Sequence, residues 1–201
     1  MARDRRLPSA PTDSGSSPPT PSCSACCCCP FAFFFLYGPV EVALPLYVVG
    51  PLHGSAGLLG VFWAVFGVGA LIGSIATGLL RRLPLWPTAI AAVIGWGFAL
   101  LPLGLLDARA AVLASFAIGG LLYAPFPALS ATLFQRESPP DRLSEVLAAR
   151  GALTVLAAPV GTALGGPLVV ATGAQTTLLI SAFATITLGL VALTLYPRLT
   201  H

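Results

Sequence analysis

Apolar residues in this chain come in long unbroken runs, not in the alternation of a strand or the one-sided stripe of a soluble helix. Six such runs cover residues 31–50, 57–80, 85–106, 110–134, 147–171 and 175–196, each 20 to 25 residues long. About 20 residues of α-helix rise about 30 Å, the thickness of a bilayer's hydrocarbon core. Inside lipid every backbone N–H and C=O must find its partner within its own segment, so runs of this length fold as helices. Strands of a membrane barrel would alternate polar and apolar at every second residue, and these runs do not. The pattern predicts an all-α membrane protein with six transmembrane helices in a domain spanning residues 31–197.

Composition agrees with that solvent. Of 201 residues, 56% are hydrophobic and 8% charged, with a mean hydropathy of +0.90. A soluble domain carries roughly a quarter charged residues to keep its surface wet. The net charge of +3 comes from ten arginines and no lysine, too small an excess to point to nucleic acid. Placement says more than the sum. Arg81, Arg82, Arg136, Arg142, Arg150 and Arg198 fall on one side of the six runs, and only Arg109 falls on the other. The positive-inside rule then puts both termini in the cytoplasm of a cell-membrane protein. The connections on the opposite side, "GPLHGSAG" and "LLDAR", are too short to hold a separate domain.

Residues 1–30 are a different material, rich in Pro and Ser, and are expected to be a disordered tail. All five cysteines lie there: Cys23, Cys26, Cys27, Cys28 and Cys29. Such a cluster suits a soft metal or acylation. Four consecutive cysteines, however, cannot all face one ion in a regular site, and no histidine accompanies them. No metal and no cofactor is expected.

One acid interrupts the first run, in "FFFLYGPVEVALPLYVVG". A charge at mid-bilayer costs at least ~2.5–3.5 kcal/mol on insertion scales, so Glu41 is expected to have a function or a partner. Tyr37, Glu41 and Pro45 repeat every four residues, as do Ser115, Gly119, Tyr123 and Pro127 on the fourth run and Thr177, Ser181, Thr185 and Gly189 on the sixth. That spacing gathers each set on one helix face. Polar faces in a membrane turn away from lipid, either to line a solute path or to hydrogen-bond another helix. Glu41, Tyr37, Ser115 and Tyr123 are the candidate proton and substrate pathway. Gly69 and Gly73, and likewise Gly161 and Gly165, are four apart and make smooth faces for close helix packing. Pro159 and Pro167 permit bending of the fifth span.

Other chemistry is excluded by what the spans hold. His53 falls in a loop and His201 ends the chain, so no span offers a histidine to a protease or a haem. No lysine is present for a retinal Schiff base, and no Walker A motif for ATP hydrolysis. The chain is therefore not read as an enzyme; passage of a solute across the membrane remains.

Several stretches resemble the carboxy-terminal half, helices seven to twelve, of a drug-efflux-like major facilitator superfamily transporter. "GPVEVALPLYV" is similar to the opening of the seventh helix. "GLLGVFWAVFGVGALIGSIATGLLRRLP" is similar to the eighth helix with its Arg-ended turn, which assigns Arg81 and Arg82 to a cytoplasmic gate loop. "LLYAPFPALSATLFQRESPPDRLSEVLAARGAL" and "APVGTALGGPLV" resemble the tenth and eleventh helices. The turn at Gly78–Arg82 lacks the family's Asp, and Ser144 and Glu145 stand where the family commonly has Gly-Arg. The resemblance implies one six-helix half of a transporter with its site between two halves, so a second half or a homodimer is expected alongside lipid and a small-molecule solute. It implies proton-coupled efflux of small amphiphilic molecules, with Glu41 in the cavity wall exchanging protons or attracting a cation. A truncated product is the expectation for a chain holding one half. A non-transporting scaffold or partner subunit, or an inactive fragment, is the alternative.

Overall fold

A computed structural model describes residues 21–80, 84–137 and 143–199. Seven helices follow in order: α1 (Pro21–Val49), α2 (Ala56–Leu80), α3 (Leu85–Leu105), α4 (Arg109–Tyr123), α5 (Pro125–Glu137), α6 (Leu143–Thr172) and α7 (Ala174–Leu199). They make six segments long and apolar enough to cross a membrane, because α4 and α5 together form one span, Arg109–Arg136. No strand occurs among the described residues.

Two boundaries differ from those expected. Residues 21–30, assigned above to the tail, belong to α1. The Ala and Cys residues there are small and apolar enough to continue a helix, and Pro21 stands at the first helical position, where its missing N–H costs nothing. Residues 1–20, and the gate-loop pair Arg81 and Arg82, lie outside the described residues. The fourth run is interrupted at Ala124. Ala124 itself keeps helical dihedrals, and its N–H reaches the Gly120 carbonyl at 3.1 Å. What ends α4 is proline, since Pro125 and Pro127 have no N–H to give the carbonyls of Leu121 and Tyr123. Between α6 and α7 a single residue turns the chain. Gly173 has φ +84°, a left-handed conformation natural to glycine, and its N–H closes α6 on the Val169 carbonyl at 2.8 Å.

The helices associate as three close pairs, α1 with α6, α2 with α4, and α3 with α7; α1 also lies along α7. Together these contacts make two layers. A front row runs α2, α4–α5, α1, α6, and α3 and α7 stand behind it. The interior is filled by Trp96, Tyr47, Phe33, Phe62, Phe116, Leu44 and Leu100. The outlying helices of the front row are the barest: 17% of α2's span and 22% of α6's are buried, against 50% for α3.

Glycines set how closely two of the pairs approach. A Cβ at Gly69 would meet the Ala117 carbonyl oxygen, and one at Gly73 the Leu121 carbonyl oxygen. Across the other pair, a Cβ at Gly161 would meet the Phe35 carbonyl oxygen, and one at Gly165 the Pro39 backbone. Two of these carbonyls are ones that proline leaves without a helical donor. Leu121 precedes Pro125 by four residues and Phe35 precedes Pro39 by four. Each is covered by the Cα of a glycine on the neighbouring helix, a weak C–H···O contact of about 0.5–1 kcal/mol.

In the third pair side chains of α7 lie over glycines of α3: a Cβ at Gly97 would meet Ile186, and one at Gly104 would meet Leu179. Thr177, Ser181 and Thr185 of α7 are buried, not ranged along an open path. Thr177 donates to Gly173 O at 2.8 Å and Thr185 to Ser181 O at 2.7 Å, so these hydroxyls are satisfied on their own helix.

Adding a methyl-bearing side chain at a covered glycine forces the pair apart, and overpacking of this kind costs about 1–3 kcal/mol. Gly161→Val is expected to destabilise the chain by about that much, whereas Gly166→Val, where an added Cβ meets nothing, stays within about 0.5 kcal/mol. Reversible unfolding of the two purified variants in mixed micelles checks the difference.

Candidate functional site

Glu41 sits on α1 eight residues before Val49, about 12 Å along the helix from that end. It was expected to be buried, and it is exposed. The reason is the layering. With α7 behind α1, α6 on one flank and α5 with α2 on the other, only the front of α1 is uncovered, and the acid faces that way. Its one described hydrogen bond is from Thr162 Oγ1 of α6 at 3.4 Å. Thr162 has a single proton and gives it at 2.9 Å to its own helix, at Ala158 O. The carboxylate is thus largely unsatisfied within the six helices.

Beside it stands an aromatic wall. Tyr37, one turn below Glu41 on α1, has its ring 5.6 Å from Tyr123 and 5.9 Å from Trp96. Tyr123, the last residue of α4, touches five rings: Phe33, Phe34, Tyr37, Phe66 and Trp96, with centroids 5.6–6.5 Å apart. Trp96 is buried and anchors the cluster from α3. Tyr37 and Tyr123 are half-buried, at the edge of this cluster. Neither phenol oxygen has a hydrogen-bond partner among the described residues.

The fourth pathway candidate lies elsewhere. Ser115 turns back towards α3 and donates to Ala99 O at 2.7 Å, so its hydroxyl ties two helices and does not join Glu41, Tyr37 and Tyr123. Gly69 and Gly73 sit at the α2–α4 contact, and Gly161 and Gly165 at the α1–α6 contact beside Thr162.

Two arginines carry structure that the sequence pattern left unread. Arg109 donates to Leu52 O at 2.8 Å and to His53 O at 3.5 Å. In the same rim, Tyr47 Oη donates to Leu106 O at 2.8 Å and Gln175 Nε2 to Asp107 Oδ1 at 3.0 Å. These ties join the ends of α1, α3, α4 and α7. They explain why an arginine stands alone at this end: it caps a loop in which His53 holds a left-handed φ of 45°. At the opposite end Arg150 of α6 reaches across to α5, donating to Ser130 Oγ at 2.6 Å with its guanidinium 5.1 Å from the Phe134 ring. Thr162, Trp96 and Phe66 were likewise not singled out. The i+4 distance from Glu41 marks only its own helix, and the partners come from three others.

Three cavities lie away from the acid. One of about 580 Å³ is lined by Gly73, Pro87, Ala91, Leu121, Leu122 and Pro125. Smaller ones of about 300 and 340 Å³ lie between α2 and α5. They open because α2 packs closely along α4 but touches α5 little, so the chain parts from α2 beyond the proline break. Glu41 and the two tyrosines form a wall, which encloses a solute only when something stands opposite.

No described group of three or more His, Cys, Asp or Glu side chains is arranged to hold a metal. Comparison with known proteins places residues 26–201 against the profile described as Major Facilitator Superfamily. The chain is 30% identical over 166 residues to a protein of Mycolicibacterium fortuitum named "Multidrug efflux pump Tap", covering 82% of this chain and 40% of that one. Proteins of the same name from Mycobacterium bovis (strain BCG / Pasteur 1173P2) and Mycobacterium tuberculosis (strain ATCC 25618 / H37Rv) are 30% identical over 164 residues, 80% of this chain and 38% of theirs. The chain thus spans about two-fifths of the length of these relatives.

Because the Ser115 hydroxyl is spent on Ala99, Ser115→Ala is expected to cost about 0.6 kcal/mol of stability, the mean for interhelical hydrogen bonds in membranes. It should leave solute affinity unchanged. Equilibrium binding of an amphiphilic dye to the two proteins checks this, and a loss of affinity would return Ser115 to the pathway.

Proposed function

The chain belongs to the major facilitator superfamily, a family of membrane transporters and not of enzymes, and from that premise we propose that it is one wall of a proton-coupled exporter of small amphiphilic molecules. The single observation that carries the proposal is Glu41, an acid at mid-span on the outward face of a six-helix body. Ionisable residues at that depth face a bundle interior or a water-filled cavity, not lipid. The face that bears Glu41 therefore calls for a second surface opposite it, with water and solute between. A second six-helix body supplies it, either a separate half or a second copy of this chain. The relatives' greater length is consistent with such a body.

In this reading Glu41 takes up and releases the coupling proton, and Tyr37 and Tyr123 line the solute's route. The named relatives are efflux pumps, and efflux is the direction proposed here. The arginine-rich ends of the spans face the cytoplasm of the cell, so both chain termini lie there. The tied rim around Arg109 then faces outwards and holds the ends of α1, α3, α4 and α7 together.

Reconstituted into liposomes with an imposed proton gradient, the complete assembly is expected to move an amphiphilic dye against its concentration. Glu41→Gln is expected to bring transport with the gradient down to the rate seen without one and to abolish its pH dependence, since an amide has no proton to exchange in this pH range. An unchanged rate and pH profile would remove Glu41 from the mechanism.

A further inference from the structure

We infer that the gap between α2, α3 and α5, on the arginine-rich side of the membrane, holds one anionic glycerophospholipid, an acyl chain in its apolar groove and the phosphate at Arg136. The groove comes first. Glycines draw α2 onto α4, and α2 makes no extended contact with α3, the helix that follows it. The cavity of about 580 Å³ left between them is lined by Ala76, Pro87, Ala91, Leu121 and Leu122 among others. The one hydroxyl side chain in that lining, Thr88, already donates to Pro84 O at 2.8 Å. Such a lining offers a hydrocarbon chain contact and asks nothing polar of it. Because α3 stands behind the front row, the groove opens on the flank of the body and not on the face that bears Glu41.

Charge comes second. Adjoining the groove, at Ala76–Thr77 and at Pro84–Leu85, is the cavity of about 340 Å³ whose lining includes Thr77, Leu85, Thr132 and Arg136. Its two threonines are spent on their own helices, Thr77 on Gly73 O at 2.9 Å and Thr132 on Ala128 O at 3.0 Å. Arg136 is not spent: it is exposed and has no ion pair or hydrogen bond among the described residues. The other arginines with described side chains are engaged, Arg109 at the rim and Arg150 with Ser130. An anion is what this cavity lacks. The start of α3 beside it has no side-chain cap at Pro84, and its partial charge has the same sign as the arginine. Spacing comes third. Pro125, in the lining of the groove, and Arg136 stand at opposite ends of α5, about 16 Å apart along its axis. One leaflet's hydrocarbon is about 15 Å thick, half the core. Groove and arginine are therefore set apart as the chain and phosphate of a single lipid are, and basic pockets between helices at the cytoplasmic surface suit such head groups.

The test is native mass spectrometry of the full chain released from detergent, titrated with dioleoylphosphatidylglycerol, dioleoylphosphatidylcholine or glycerol phosphate. One phosphatidylglycerol per chain is expected, held about fivefold tighter than phosphatidylcholine, the worth of about one arginine at a membrane surface. Glycerol phosphate, which has no chain, is expected to bind far more weakly than either lipid. Arg136→Gln should bring phosphatidylglycerol down to the affinity of phosphatidylcholine while changing the latter by less than about twofold. Arg136→Lys keeps the charge and should restore the preference. Ala91→Phe, which puts bulk into the groove, should weaken both lipids by at least about fivefold. Equal affinity for the two lipids in the unaltered chain overturns the inference, as does a preference that survives in Arg136→Gln. Undiminished lipid binding by Ala91→Phe removes the groove and overturns it too. Glycerol phosphate bound as tightly as the lipid would make this an anion site without a chain, which also overturns it.

Discussion

The fold depends on what becomes of carbonyl groups that proline deprives of a donor. A membrane helix cannot hand such a group to water, and an unsatisfied one in hydrocarbon costs several kcal/mol. This chain places Pro39 in α1 and Pro125 at the head of α5, and the carbonyls left over, of Phe35 and Leu121, each lie under a glycine Cα of the next helix. A side chain at Gly161 or Gly73 would push the helices apart and uncover the oxygen. The smooth glycine face and the proline four residues from the carbonyl are therefore one device. Close packing of α6 on α1 and of α2 on α4 follows from it, and with it the order of the front row.

That order decides where the acid points. α1 is covered behind by α7 and on its flanks by α6 and α5, which leaves Glu41 on the open side. The same proline break that lets α2 press on α4 places Tyr123 at the end of a helix, where its ring gathers Phe33, Phe34, Tyr37, Phe66 and Trp96. Packing and site are built on the same residues, and a helix that shifts at Gly73 shifts the backbone beside Tyr123.

Much of this was legible in the sequence, for physical reasons. Span lengths follow from bilayer thickness and backbone satisfaction, so six helices could be placed from apolar runs alone. The glycine pairs could be picked out because spacing by four is a property of one helix. Partners could not, because spacing on one helix does not say which neighbour it meets. Thus Ser115 and Tyr123, two turns apart on one stripe, were read as one path, yet the former binds α3 and only the latter joins Tyr37. Polar faces are expected to turn away from lipid, yet Glu41 lies on the uncovered front of α1, because contacts with α5, α6 and α7 cover its other sides. The start of α1 was misplaced because a Cys- and Ser-rich stretch was weighed as tail, although small apolar thiols are compatible with helix.

Prolines on α1 serve two ends, and the contrast between them supports reading Glu41 as a site. Pro39 frees a carbonyl that Gly161 covers, which is the solution a purely structural helix would repeat. Pro45 frees the carbonyl of Glu41 itself, and none of the glycines bordering α1 meets that oxygen. A residue presenting both an ionisable side chain and a main-chain acceptor without a helical donor is costly to keep against lipid. Against a water-filled space it is not, because water or a solute satisfies both groups. The chemistry of α1 therefore changes over six residues, from packing at Phe35 to exposure at Glu41, and the boundary marks where the six-helix body ends.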